Sequence, residues 1–278
     1  MRTTIIAGVV IAIVVIGIIG YAVTGLAYAQ TRVGRADSTL STVISHQNSL
    51  NTTFKGIDAG ATGLNSTNFD PAKARTLLDQ FVANANLAGT TIDKDDASLA
   101  GARASLGDQQ WLTVVARGSL DKEAARIDHA RKALSMAKTI AADYAQVGGF
   151  WLALVNAFSD GQAVGNQIAT ADLAGAKATL ITTKTHADQA LQLSGAPGLP
   201  PELHALMVDF ESLVADVGKL LDVVATGDDA AIVSTENQLQ ADATKVDAYD
   251  FAKIEAETMA YYQPLVDGFN AEMARAAA

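Results

Sequence analysis

The chain has 278 residues, no cysteine, and a formal net charge of −10 from 30 acidic and 20 basic side chains. Without cysteine there is no thiol nucleophile, thiolate metal site or disulfide, and the acidic balance argues against nucleic acid, which needs a basic face to neutralise phosphates. It argues equally against adhesion to anionic lipid by charge.

Between Arg2 and Arg32 lie 29 uncharged residues, Thr3 to Thr31. The stretch Ile5 to Leu26 matches the roughly 20 apolar residues that cross a hydrocarbon layer. Ala27-Tyr28-Ala29 has the small-x-small form of a signal-peptidase site. The apolar core, however, is longer than the roughly 7–15 residues of an ordinary signal peptide. The expected reading is therefore a single-pass signal anchor over 1–29 in the cytoplasmic (inner) membrane. The alternative is secretion after cleavage following Ala29. Arg2 on one side, against Arg32 and Arg35 on the other, slightly favours a cytoplasmic body. The Ala-x-Ala site and the absence of cysteine point the other way, and the body is expected to be extracytoplasmic.

A heptad stripe follows directly. Val33, Ala36, Leu40, Val43, Gln47, Leu50, Phe54 and Ile57 alternate at spacings of three and four, which sets them on one face of a helix. Such a stripe serves either as a surface for a partner helix or as the inner face of an antiparallel bundle. Gln47, its polar member, is either a tolerated core residue or a register device. Residues Asp58 to Asn68, with Gly60 and Gly63, predict a loop. Asp70-Pro71 then predicts an N-cap and first helical position, with Leu77, Leu78, Phe81, Val82 and Ala85 as the apolar face and an end near Gly89. A short segment over Asp95 to Leu106 and an apolar piece at Trp111 to Val115 come next.

Ser119 to Val147 predicts the longest helix, which Gly148-Gly149 should break or kink, and Val147 to Phe158 predicts a separate buried helix. Three helix starts follow: Thr170-Ala171-Asp172 leading toward Leu193, Pro200-Pro201-Glu202 leading to Ala225, and Asp228-Asp229 leading to about Tyr249. The linker Ser194 to Pro200 joins two hairpins or marks a weak subdivision of the 30–278 body. A last helix spans about Phe251 to Ala274, with an interruption or bend at Pro264. The expected fold class is all-α: a transmembrane helix, then an antiparallel bundle of about seven helices joined by short loops.

The residues that carry common chemistries do not converge. His46, His129, His186 and His204 fit neither a His-Glu-x-x-His motif nor the Glu-x-x-His of di-iron bundles. Asp95-Asp96 and Asp228-Asp229 stand at predicted helix starts, where acids complement the helix dipole. No loop follows the EF-hand pattern, and no Gly-rich loop has the lysine of a phosphate cradle. No catalytic, cofactor or metal-binding residue is assigned, and no enzyme activity is expected.

Aromatic side chains supply the ligand-pocket candidates: Trp111, Tyr144, Phe150, Trp151 and Phe158, beside a second group at Tyr249, Phe251, Tyr261, Tyr262 and Phe269. The plainer reading makes them the large core residues of an alanine-rich protein. Two functions are carried forward. The first is a membrane-anchored, non-enzymatic helical protein that binds a protein partner or its own copies, or supports an envelope assembly. Its candidate interaction stripe is Val33, Leu40, Val43, Gln47, Leu50 and Phe54. The second is an extracytoplasmic domain that senses or binds a small solute.

Overall fold

The computed structural model describes residues 34–62, 70–107 and 117–278, which hold seven helices and no strand. They are α1 (Gly34–Thr62), α2 (Pro71–Gly107), α3 (Arg117–Ala169), α4 (Leu173–Leu193), α5 (Pro201–Thr226), α6 (Asp229–Asp247) and α7 (Phe251–Ala277). The expected anchor over 1–29, Val33 and Trp111 lie outside the described residues. Among those described, no helix is long and apolar enough to cross a membrane.

The helix starts expected at Asp70, Asp172, Pro200 and Asp228 are found where local chemistry dictates them, whereas Ser119, the expected start of the longest helix, lies inside a helix that begins at Arg117. Asp70 accepts hydrogen bonds from the backbone of Ala72 and Lys73, ahead of Pro71. Asp172 caps α4 through Gly175 N–H, and Asp228 caps α6 through Ala231 N–H. Pro201 opens α5, whose far end closes on Gly227 at φ 70°, a left-handed position that glycine takes without strain.

At four predicted breaks the helix continues, and residues 63–68 of the expected loop lie outside the described residues. Helix α1 continues through Gly60 to Thr62, so residues 58–62 are helical rather than loop. Helix α2 does not end near Gly89. Its buried stripe of Leu78, Phe81, Ala85, Ala88, Ile92, Asp95 and Leu99 keeps alternating spacings of three and four. Asp95 and Asp96 therefore stand in mid-helix and not at a helix start. Helix α3 runs for 53 residues through Gly148-Gly149. A glycine inside a helix costs about 1 kcal/mol, whereas burying one large apolar side chain returns about 1.5–3 kcal/mol, and Phe150, Trp151, Leu154 and Val155 are all buried just beyond. Helix α7 passes through Pro264 on its exposed side, where water can reach the Ala260 carbonyl that proline leaves without a donor.

The chain forms two compact units whose boundaries fall inside α1, α2, α3 and α7. The hairpin unit comprises Ala61–Gln80 and Gln146–Thr258; the bundle unit comprises residues 34–60, Phe81–Ala145 and Met259–Ala278.

In the hairpin unit, α4, α5 and α6 follow one another as antiparallel hairpins. Lys177 near the start of α4 bonds Asp222 near the end of α5, and Ser194 just past α4 meets His204 near the start of α5. The α3–α4 turn closes through Asp172 N–H on the Gln167 carbonyl, with Ala171 at φ 59°. Gly149 lets α3 approach α4 closely, since a Cβ there would stand 3.4 Å from Leu193. Ser194 to Pro200 is a turn within this unit.

In the bundle unit, α2 and α3 run antiparallel, tied by Arg103–Asp128, Arg131–Asp96 and Lys138–Asp93. The end of α7 runs antiparallel to α3 and is held by His129–Glu272 at 2.6 Å and by Arg126 Nε on the Ala276 carbonyl at 2.8 Å. Helix α1 bonds both neighbours, through His46–Asp95 at 2.7 Å and Asp37–Arg126 at 3.4 Å.

Candidate functional site

A cleft of about 320 Å³ opens between α3, α4 and α5 of the hairpin unit. Its size lies at the lower end of the roughly 300–1,000 Å³ of small-molecule sites. Helix α3 contributes Ala157, Phe158, Gly161, Gln162 and Val164; α4 gives Leu180 and Thr183; α5 gives Phe210, Leu213, Val214 and Val217. The α5 residues recur at helical spacing, continuing the buried face of Leu203, Leu206 and Met207. Phe158 and Phe210 pack with ring centroids 5.0 Å apart and planes at 43°. Gly161 leaves room, because a Cβ built there meets nothing within 4 Å.

Only two lining side chains are polar. Gln162 is exposed, while Thr183 is 1% exposed and donates its hydroxyl proton to the Thr179 carbonyl at 3.1 Å. The α3–α4 seam nearby is closed by His186 Nδ1 on Asp160 Oδ2 at 2.8 Å. One residue beyond Phe210, the Glu211 carboxyl interacts with that of Asp188 on α4, and Asp188 accepts from Lys184. Burial, reinforced by Asp188, raises the Glu211 carboxyl above its usual range, and the Lys184 ammonium lowers that of Asp188.

The expected pocket residues part company. Phe158 lines the cleft. Phe150 and Trp151 belong to the same unit, buried edge to face at 4.9 Å, but do not line it. Tyr144 belongs to the bundle unit, in a row with Phe81 at 5.6 Å and Tyr262 at 5.0 Å, and Tyr262 meets Tyr261 at 5.0 Å. Asp143 sits beside this row. Its burial lifts the carboxyl above the ordinary range, and the Tyr261 hydroxyl at 3.4 Å acts against that shift. Of the proposed α1 stripe, Leu40, Val43 and Gln47 are buried in the bundle unit and Leu50 is half-buried. The side chain of Phe54 lies outside the described residues. Phe210 and the α5 valines lie on the apolar spacing of α5, where a sequence signal exists, whereas Thr183 on α4 carries none.

Other groups with chemical potential are already engaged. Ser194 Oγ lies 2.8 Å from His204 Nδ1 and 2.7 Å from the Leu191 carbonyl. The carbonyl can only accept, so the serine proton goes there and the imidazole N–H donates to Oγ; this is the reverse of an activated nucleophile. A larger polar cleft of about 610 Å³ between α2 and α3 is lined by Asp93, Asp96, Asp128, Arg131, Lys132 and Lys138. Its carboxylates are bonded to Lys138, Arg131 and Arg103, so they tie the two helices together. Among the described residues, no group of three or more His, Asp or Glu is placed to hold a metal ion.

No family model, curated protein or solved structure matches the chain.

Proposed function

We propose that the chain is a non-enzymatic, extracytoplasmic helical body, held at a membrane by its N-terminal apolar segment, that binds a small apolar molecule in the Phe158–Phe210 cleft. The cleft carries this reading. It joins an aromatic pair and six other apolar side chains to a single buried hydroxyl, the makeup of a small-ligand site. The α1 stripe supports a protein-docking role less, since Leu40 and Val43 are 2% and 1% exposed within their own unit.

The test is methyl NMR on the full chain in lipid nanodiscs, titrated with a panel of small apolar molecules. Shifts are expected at the methyls of Val164, Leu180, Val214 and Val217. They should vanish in Gly161→Leu, which adds a side chain at the cleft wall from a Cβ that meets no neighbour within 4 Å and gains about 1 kcal/mol of helix propensity. A panel that moves none of these methyls, or moves them equally in Gly161→Leu, would remove the proposal.

A second reading, docking to a protein partner or a second copy, draws on exposed aliphatic side chains of the hairpin unit, Ile181 at 71% and Val233 at 57%. Native mass spectrometry of the full chain from its own membranes separates the two. A stoichiometric multiple or an added polypeptide favours assembly, and a monomer with a small adduct favours the cleft.

A further inference from the structure

The hydrogen-bond accounting of the cleft narrows what it can take. Thr183 is the one buried polar side chain in its wall, and its single proton is committed to the Thr179 carbonyl. What remains toward a ligand is oxygen lone-pair capacity, so the wall offers an acceptor and no side-chain donor except Gln162 at the exposed mouth. None of the acids of these helices lines the cleft, but Asp160, Asp188 and Glu211 stand on the same three helices, two, five and one residues along the chain from the lining residues Phe158, Thr183 and Phe210. Against them stand Lys184, already bonded to Asp188 at 2.7 Å, and His186, bonded to Asp160. A carboxylate in the cleft would be desolvated and would find no buried side-chain donor.

We propose that the cleft selects apolar molecules that end in a hydrogen-bond donor, a hydroxyl or an amine, over those that end in a carboxylate. This rests on the ligand-binding reading above. The apolar part lies against Phe158, Phe210 and the α5 valines, and the donor bonds Thr183 Oγ1. The alcohol and the amine share this chemistry; they differ in charge, which the titration separates.

Four ligands with one aryl tail test it: phenylethanol, phenylethylamine, phenylacetate and ethylbenzene. Each is titrated into the full chain in nanodiscs in one common buffer, with the Val214 and Val217 methyls as reporters. Phenylethanol or phenylethylamine should bind about ten-fold or more tightly than phenylacetate. Thr183→Val keeps the side-chain shape, and it should weaken the alcohol about five-fold while leaving ethylbenzene unchanged. Equal or tighter binding of phenylacetate, or a Thr183→Val protein whose alcohol preference is intact, overturns the selectivity; ethylbenzene binding then still upholds the cleft as a ligand site. If none of the four moves the reporters, the selectivity and the ligand reading fall together.

Discussion

The two units spend their charged residues differently. In the bundle unit, Arg103, Arg126, Arg131, Lys138, His46 and His129 reach from one helix to acids on another. In the hairpin unit fewer ties cross between helices, at Lys177–Asp222, His186–Asp160 and Lys253–Glu202, while Lys184–Asp188, Lys219–Asp216 and Lys245–Asp242 bond one turn along the same helix, and apolar side chains line the cleft between α3, α4 and α5. Bridging charges between α2 and α3 line a polar cleft of about 610 Å³, whereas small and aliphatic residues between α3, α4 and α5 line an apolar one of about 320 Å³. The unit that holds the candidate site is accordingly the one less cross-tied by ions.

The largest expected effect breaks the bundle unit. Arg126 is buried with Glu123 and bonds Glu123, Asp37 and the Ala276 carbonyl. Arg126→Ala strands the Glu123 carboxylate and frees the end of α7, so urea unfolding should show a loss of about 3–5 kcal/mol. Exposed within-helix pairs such as Lys184–Asp188 should cost under about 1 kcal/mol on truncation. Comparable losses at both sites would dissolve the contrast.

A smaller effect, of opposite sign, lies in the hairpin unit. Ala171 holds φ 59° at the α3–α4 turn, where a Cβ costs about 1–2 kcal/mol. Ala171→Gly should raise stability by roughly 0.5–1 kcal/mol, after the extra chain entropy of glycine is set against that relief. Thermal unfolding with no rise in midpoint would show that the turn carries no strain.

The smallest effects, in pH dependence, are also the most diagnostic. Asp143 of the bundle unit has its carboxyl raised by burial, so its contribution to folding is most favourable at low pH and is lost as pH rises through the raised value. Asp143→Asn should therefore exceed the wild type slightly at neutral pH, and the gap should close on acidification toward the ordinary carboxyl value near 4. Asp242 of the hairpin unit behaves oppositely. Lys245, and then Gln238, hold it down at about 2. Its contribution is present above the ordinary carboxyl value and fades between there and about pH 2, so Asp242→Asn should be less stable than the wild type at pH 7 and level with it in strong acid. Midpoints measured from pH 2 to 7 for the two variants should change in opposite directions relative to wild type, and parallel curves would refute the assignment.

The helix starts were legible because a cap is a contact within three residues. Asp70, Asp172 and Asp228 bind their own chain, and the sequence alone places them. Continuity was less legible. Asp95 reads as a helix start until His46, 49 residues earlier, is found bonded to it, which lets a carboxylate occupy a core position of α2. Gly148-Gly149 reads as a break until the burial on either side is known. The cleft was half legible: Phe158 stood out as an aromatic, whereas Thr183 and Phe210 gain their meaning only from standing across from it.

Composition and periodicity by themselves determined an all-helical, cysteine-free, acidic protein with an apolar N-terminal run, because hydrophobic spacing and capping are local properties of the chain. Tertiary structure alone decided which helices are continuous, which carboxylates are buried, and that α3, α4 and α5 leave an apolar cleft between them. Those outcomes depend on pairing residues far apart in sequence, where the energy of burial and of long-range hydrogen bonds outweighs local preference.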